Sequence, residues 1–123
     1  MKKLGILFGI LFVVCNTALA QDIDVYYFWS NPRCSNCKKM ETYTKEVVAK
    51  MNDNSVHFKS IDMSINKPLA HKYNLYTKSV IISKTANGKE QWKNLDGIWT
   101  RVNNETKIKG YIQNEIIKFK GVK

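Results

Sequence analysis

Short apolar runs separated by polar turns recur along the chain, and their spacing predicts its strands. The segment Asp24–Trp29 is β-branched and aromatic and too short for a helix, which predicts a buried strand. The runs Val56–Ile61 and Ser79–Ser83 have the same character and predict two more strands. Asn87-Gly88 is a strong hairpin signal, so Lys89–Trp92 is predicted to return as an antiparallel strand.

Three helices are predicted between and after these strands. From Cys34 to Met51 apolar residues recur at steps of three and four, and Asn52-Asp53-Asn54 ends the pattern. Asn66-Lys67-Pro68 suits the start of a short helix reaching about Tyr73, since proline is tolerated in a first turn. Asn103-Asn104 can cap a last helix, whose apolar face carries Ile108, Tyr111, Ile112, Ile116 and Phe119.

The predicted order of elements is β-α-β-α-β-β-α, which indicates an α/β fold. Strands separated by helices are expected to run parallel through crossovers, and the hairpin adds an antiparallel edge. The expected result is one mixed sheet with helices on both faces. Within the first helix, Glu41–Lys45 and Glu46–Lys50 are expected to form i, i+4 ion pairs. The segment Leu95–Val102 matches none of these elements and predicts a short extra helical turn.

The first twenty residues have the layout of a secretory signal peptide. Met1-Lys2-Lys3 is positive, Leu4–Val14 is an apolar run, and Ala18-Leu19-Ala20 forms a cleavage site before Gln21. The run is shorter than the roughly 20 residues of a spanning helix. We therefore expect residues 1–20 to be removed, leaving one domain over residues 21–123 that is periplasmic or secreted. An uncleaved anchor and a lipoprotein modified at Cys15 are the alternatives.

The charge of the chain narrows the classes of partner. Loss of Lys2 and Lys3 lowers the formal charge from +10 to +8, and the remaining lysines are spread without a run of five or more. This favours a solvated surface over a site for acidic partners. The chain has no glycine-rich phosphate loop and no arginine-rich arm, so nucleic acid is not expected as a partner. A monomer without membrane contact after cleavage is expected.

The cysteines carry the candidate chemistry. Of three cysteines, Cys15 lies in the predicted signal peptide, which leaves Cys34 and Cys37. A disulfide framework needs bridges that close long loops, and this pair closes almost none. The pair therefore needs a chemical explanation. A local structural disulfide is the alternative.

The pair falls where the first strand gives way to the first helix. A cysteine at a helix N-terminus meets unpaired N–H groups and the positive end of the helix dipole, which stabilise the reactive thiolate. Arg33, Lys38 and Lys39 are expected to act in the same direction. In this geometry Cys34 is the exposed nucleophile and Cys37, on the core-facing stripe, is the resolving thiol.

Zinc sites also use the Cys-x-x-Cys spacing, so a metal-thiolate protein remains an alternative. Only His57 and His71 could complete such a site, and neither spacing resembles a zinc finger. Both histidines are expected to be ordinary surface or half-buried residues. Placement between a strand and a helix favours redox chemistry instead. No metal and no cofactor are predicted.

Two segments resemble the thioredoxin superfamily. The first is Phe28-Trp29-Ser30 with Cys34-Ser35-Asn36-Cys37-Lys38, and the second is Tyr73-Asn74-Leu75 followed by a strand, an Asn-Gly hairpin and a last helix. The resemblance covers about Asp22–Phe119. It implies a thioredoxin-like fold and a thiol–disulfide oxidoreductase that exchanges disulfides with protein thiols and is recycled by an unknown redox partner. A thioredoxin-fold interaction module with an inert disulfide is the other alternative.

The resemblance also assigns supporting residues and shows departures. Trp29 matches the aromatic residue that shields the family's active site, and a plain core or surface tryptophan is the alternative. Ser35-Asn36 replaces the Gly-Pro of thioredoxin, which leaves the direction of catalysis open. Asn31-Pro32-Arg33 lengthens the approach to the first cysteine by one residue.

Two further departures concern the surroundings of the dithiol. Ser79 stands where the family holds a cis-proline beside the dithiol, and a trans peptide is expected before it. If the register is off by one or two, Lys78 or Thr77 takes that place. Tyr26 and Tyr27 occupy the region of the family's buried acid, so proton transfer from Cys37 needs water or another group.

Overall fold

The computed structural model describes residues 22–121, so the predicted signal peptide and its cleavage site lie outside the described residues. The predicted order of elements is confirmed, with a 3-10 turn where Leu95–Val102 predicted a helical turn. The elements are β1 Ile23–Trp29, α1 Ser35–Met51, β2 Val56–Asp62, α2 Lys67–Lys72, β3 Ser79–Ala86, β4 Lys89–Asn94, the 3-10 turn Asp96–Thr100 and α3 Glu105–Gly121.

The four strands form one mixed sheet in the order β2-β1-β3-β4. β1 is parallel to β2, with Trp29 opposite Asp62. β3 is antiparallel to β1, with Phe28 opposite Ser79, and β4 is antiparallel to β3. The mixed α/β sheet of the prediction is therefore present.

The expected parallel direction of β3 is wrong. Six residues of α2 span about 9 Å, whereas a strand of seven residues spans about 23 Å. The helix is too short to carry the chain back along the sheet. β3 therefore starts at the end of the sheet where β2 stops and runs the other way.

The two faces of the sheet bury different clusters. On one face Val25, Tyr27 and Val80 pack with residues of α1 and α3, such as Met40 and Ile112. On the other face a smaller cluster surrounds α2 and the residues that follow it, formed by Phe28, Tyr73 and Ile81 with Tyr26, Ile61, Met63, Leu69 and Leu75 around them. The alternation along β1 therefore places helices on both faces, as predicted.

Local sequence signals explain where the helices and the hairpin begin and end. Asn52 ends α1 in the left-handed conformation, with φ of 50°. Asn87 and Gly88 have φ of 55° and 77°, as a two-residue hairpin turn requires. The Asn104 side-chain oxygen accepts a hydrogen bond from the backbone N–H of Lys107 (3.0 Å), which caps the start of α3. None of the helices within residues 22–121 is long and apolar enough to cross a membrane.

The two ion pairs expected within α1 are wrong. Glu41 pairs with Arg33 (2.8 Å), which precedes the helix. Glu46 pairs across helices with Lys109 of α3 (2.7 Å). Both glutamates therefore serve tertiary contacts, which a helical spacing rule cannot anticipate.

Candidate functional site

The cysteine pair lies at the junction of β1 and α1, as predicted. Cys34 is the N-cap of α1 in an extended conformation, and Cys37 lies within the first turn. A disulfide joins them, with an S–S distance of 2.14 Å and a Cα–Cα distance of 5.0 Å. The backbone N–H of Cys37 donates to the Cys34 Sγ at 3.0 Å. This sulfur thus replaces the side-chain oxygen that usually caps a helix.

The two sulfurs have different surroundings. Cys34 is exposed, whereas the side chain of Cys37 is 1% exposed. An incoming thiol or disulfide can therefore reach Cys34 and not Cys37. The roles of nucleophile and resolving thiol stay a prediction.

Tyr27 contacts the backbone of the cysteine segment. Its buried hydroxyl donates to the carbonyl oxygen of Cys37 at 2.9 Å. Burial raises the pKa of Tyr27 to about 12, and the Glu41 charge adds to this while the Arg33 charge opposes it. Tyr27 is therefore a neutral donor that ties β1 to the first turn of α1. The sequence analysis noted that no acid stands here but missed this contact, which depends on the packing of α1 on the sheet.

Arg33 is held on two sides. Its guanidinium carbon lies 3.7 Å from the centre of the Trp29 ring. Its Nη1 is 2.8 Å from the Glu41 Oε1, and the Ser60 hydroxyl donates to the other oxygen of the same carboxylate at 2.8 Å. The positive charge expected to act on Cys34 therefore has a carboxylate partner.

Glu41 and Ser60 are site residues that the sequence analysis did not identify. Glu41 lies four residues after Cys37, so both project from the same side of α1. That spacing, together with a cation just before the helix, was the available signal. Ser60 comes from β2 and carried no signal, because only the fold brings that strand beside α1.

Trp29 is half-buried and packs against the larger core cluster. Its ring carries the Arg33 guanidinium. The assignment of Trp29 as a shield of the dithiol stays a prediction.

Ser79 lies at the same end of the sheet as the dithiol. It is 5% exposed, pairs with Phe28 and donates its hydroxyl to the Thr77 carbonyl at 2.8 Å. Within residues 22–121 the cis peptide bond is Asn31-Pro32, so the bond before Ser79 is trans, as expected. The role of Ser79 beside the sulfurs stays a prediction.

A surface cavity of about 280 Å³ opens at this end of the sheet. It begins at Ser30, the residue after β1, and includes Tyr76, which is 96% exposed. The rest of its lining combines apolar and basic side chains, which are Met63, Lys67, Ala70, His71 and Leu75 beside Ser64. The segment that leads from β1 to Cys34 thus borders, at Ser30, a concave surface with both apolar and basic side chains.

The histidines do not join the cysteines. His57 pairs with Asp22 at 3.3 Å, at the start of the sheet, and His71 lies exposed on α2. Across the described residues 22–121, no cluster of three or more His, Cys, Asp or Glu side chains could hold a metal ion.

A mixed sheet with a Cys-x-x-Cys disulfide between its first strand and the following helix defines a protein of the thioredoxin-like fold. The chain is similar to the first two thioredoxin domains of Naumovozyma dairenensis Eps1p, at 15% identity and a TM-score of 0.50. That match covers 88% of this chain and 37% of the other.

Two thioredoxins are also similar to the chain. Fasciola hepatica thioredoxin matches at 19% identity and a TM-score of 0.49, over 86% of this chain and 91% of that one. Trichomonas vaginalis thioredoxin matches at 13% identity and a TM-score of 0.49, over 77% and 87%. No protein-family model and no curated protein matches the chain.

Proposed function

We propose that this protein is a thiol–disulfide oxidoreductase that exchanges disulfides with protein thiols through Cys34 and Cys37. One observation carries the proposal, which is the disulfide between an exposed sulfur at a helix N-cap and a buried sulfur one turn later. The helix N-terminus and its N–H donors stabilise a thiolate at Cys34 after reduction. Because Cys37 is buried, it does not react with the substrate directly and acts only in the second step, when it attacks Cys34.

In the reducing direction the Cys34 thiolate attacks one sulfur of a substrate disulfide. A bond forms between Cys34 and that sulfur, and the second substrate sulfur leaves as a thiolate that takes up a proton. The Cys37 thiol then loses its proton and attacks Cys34. The Cys34–Cys37 disulfide forms and the first substrate sulfur leaves, so two electrons and two protons pass to the substrate. The oxidising direction is the reverse sequence.

The cavity that opens at Ser30 is consistent with a protein substrate for this reaction. It offers apolar contact at Met63 and Leu75 and basic groups at Lys67 and His71. Such a surface, at the end of the sheet that also carries the cysteine pair, would suit an extended segment of a protein substrate. The reduction potential of the pair decides the direction, since about −270 mV suits a reductase and about −120 mV an oxidase.

Reactivity of the two thiols tests the proposal. In fully reduced protein, limited alkylation should label Cys34 before Cys37 because Cys34 is exposed. Cys37→Ser should accumulate mixed disulfides between Cys34 and a model protein that contains a disulfide, whereas Cys34→Ser should not. The wild-type protein should turn over a model protein disulfide. Equal labelling together with a disulfide that resists mild reductant would contradict the proposal and favour an inert interaction module.

The proposal includes action outside the cytoplasm, which the signal-peptide layout of residues 1–20 supports. Exported protein should begin at Gln21. Intact-mass analysis of the secreted or periplasmic fraction measures this, and a retained Met1 or a lipid on Cys15 would contradict it.

A further inference from the structure

We propose that Glu41 is a positioning residue of the redox site, which fixes Arg33 against the Trp29 ring and cancels the cationic charge beside Cys34. The inference deepens the proposed function and rests on it for its biological meaning. Its geometric basis is separate from the exchange reaction itself.

Four side chains form a continuous link across the site. The Trp29 ring lies under the Arg33 guanidinium at 3.7 Å, and that guanidinium reaches Glu41 at 2.8 Å. Glu41 in turn accepts the Ser60 hydroxyl at 2.8 Å. The link therefore joins the end of β1, the loop before the nucleophile, α1 and β2. It ties Arg33, the neighbour of Cys34 in the chain, to two fixed elements.

The charged residues that flank the cysteines in the chain, Arg33, Lys38 and Lys39, are positive, and Asp62 lies at the same end of the sheet, opposite Trp29. The first turn of α1 contains no acidic residue. Lys38 and Lys39 are exposed, and neither forms an ion pair within residues 22–121. Glu41 is one helical turn beyond Cys37, with its side chain 23% exposed, so its charge is only partly screened by water. A carboxylate at this place opposes thiolate formation and offsets the guanidinium.

Each charge deletion should therefore shift the pH midpoint at which Cys34 ionises in a defined direction. Glu41→Gln keeps the shape of the side chain, removes the negative charge and leaves Arg33 uncompensated. The pH midpoint at which Cys34 ionises should then fall, by about 0.5 to 1 pH unit for the loss of one partly screened charge. Arg33→Gln should raise the midpoint by a similar amount, because it leaves Glu41 uncompensated.

The double variant Arg33→Gln/Glu41→Gln provides the sharpest test. Because it removes both charges, its midpoint should return to within about 0.3 pH unit of the wild type, as expected of a cancelling pair. Glu41→Asp keeps the charge and should also stay near the wild-type midpoint. The measurement is the thiolate absorbance of the reduced protein as a function of pH, with Cys37→Ser in the background so that a single thiol titrates.

Glu46→Gln is the matched control. It removes the same charge from the same helix, but Glu46 pairs with Lys109 of α3 and not with Arg33. It should leave the midpoint unchanged. Equal shifts in Glu41→Gln and Glu46→Gln, or a double variant as shifted as either single variant, would overturn the proposal.

The readout separates this inference from the proposed function. The ionisation of Cys34 is measured without any substrate, so a protein that fails to turn over disulfides still reports the effect of Glu41. Denaturant unfolding of each oxidised variant shows that the fold is retained. If Glu41→Gln does not fold, Arg33→Gln, which changes the loop before α1 and not the helix itself, tests the same charge pair and should raise the midpoint. No rise in Arg33→Gln would then overturn the inference.

Discussion

Tyr27 is a single buried residue that contacts the cysteine segment and limits how Cys37 can lose its proton. Its hydroxyl donates to the Cys37 carbonyl, and its side chain is 1% exposed. A neutral phenol in this place fastens the first turn of α1 to the sheet but cannot accept the proton of Cys37 near neutral pH, since its pKa is about 12. In the proposed exchange the proton of Cys37 must therefore leave by another group or by water.

Removing that hydroxyl should weaken the fold modestly. Tyr27→Phe loses one buried hydrogen bond while keeping the ring, and we expect the free energy of unfolding to fall by about 1 kcal/mol. Denaturant unfolding of the oxidised protein measures it. Tyr26→Phe is the control, because its half-buried hydroxyl lies 3.4 Å from Asp24 and should contribute less than about 0.5 kcal/mol. Equal losses of unfolding free energy in the two variants would show that the hydrogen bond to Cys37 contributes no more to stability than the Tyr26 hydroxyl does.

Tyr27 should also make stability fall in alkali. In the unfolded chain it loses its proton near the ordinary pKa of 10.0, while the fold holds the proton until about 12. The contribution is present below pH 10 and is lost as pH rises to 12, because the unfolded state then binds fewer protons. The free energy of unfolding of Tyr27→Phe should therefore decline less steeply over this window. Tyr76→Phe, whose ring is 96% exposed, is the matched comparison. Parallel curves for wild type and Tyr27→Phe would refute this account.

At the scale of elements, local sequence patterns predict where helices and turns begin, but they do not predict which strands and side chains pair across the fold. The start of α1 at the cysteines and the hairpin at Asn87-Gly88 follow from nearest-neighbour chemistry, so they were predictable. The direction of β3 was not, because it depends on the length of α2 and the route of the chain. The pairing of Glu41 with Arg33 was not either, since a helix spacing rule offers Lys45 as an equal partner.

The 3-10 turn depends on a glycine for its contact with α3. A Cβ atom at Gly97 would lie 2.7 Å from the Tyr111 hydroxyl oxygen and 2.9 Å from the Arg101 Nη1. Arg101 also lies over the Tyr111 ring at 4.4 Å and donates to the Gly97 carbonyl at 2.8 Å. The three residues therefore form one close contact between the turn and the helix.

Gly97→Ala should disturb that contact. The methyl group must push Tyr111 and Arg101 away, and we expect a loss of about 1 to 2 kcal/mol in the free energy of unfolding. Gly110→Ala on α3 is the control, because no atom lies within 4 Å of its Cβ position and alanine favours a helix. It should be neutral or stabilising. Chemical denaturation compares the two, and a neutral Gly97→Ala would contradict the close packing.

Across the whole molecule, the two ends of the sheet make different contacts, since one end carries the dithiol and the other packs against α3. The dithiol follows the last residue of β1, while Lys84 pairs with Ile23 at its first residue. Lys84 is 4% exposed, donates to the Phe119 carbonyl at 2.9 Å and lies over the Phe119 ring at 5.4 Å. This end of the sheet holds the C-terminal helix. A strand of seven residues, about 23 Å long, separates it from the cysteine pair.

Lys84→Met should therefore change stability and not reactivity. Loss of the donor leaves the Phe119 carbonyl with one partner fewer, and we expect the free energy of unfolding to fall by about 1 to 3 kcal/mol. The rate at which Cys34 is alkylated in reduced protein should stay within twofold of the wild type. Lys89→Met, at an exposed position of β4, should change neither. An altered alkylation rate in Lys84→Met would show that the two ends are coupled.

The outer position of β2 in the sheet bears on association between copies of the chain. Within residues 22–121, β2 pairs with β1 alone, and an unpaired strand edge is a template for another strand. Lys59, half-exposed at the centre of β2, opposes this, since antiparallel pairing of two copies about this residue would set two ammonium groups face to face. Lys59→Val should promote concentration-dependent association in sedimentation experiments, whereas Lys59→Arg should associate no more than the parent protein does. The lysine that faces Asp24 within one molecule would thus also keep neighbouring molecules apart in a crowded compartment.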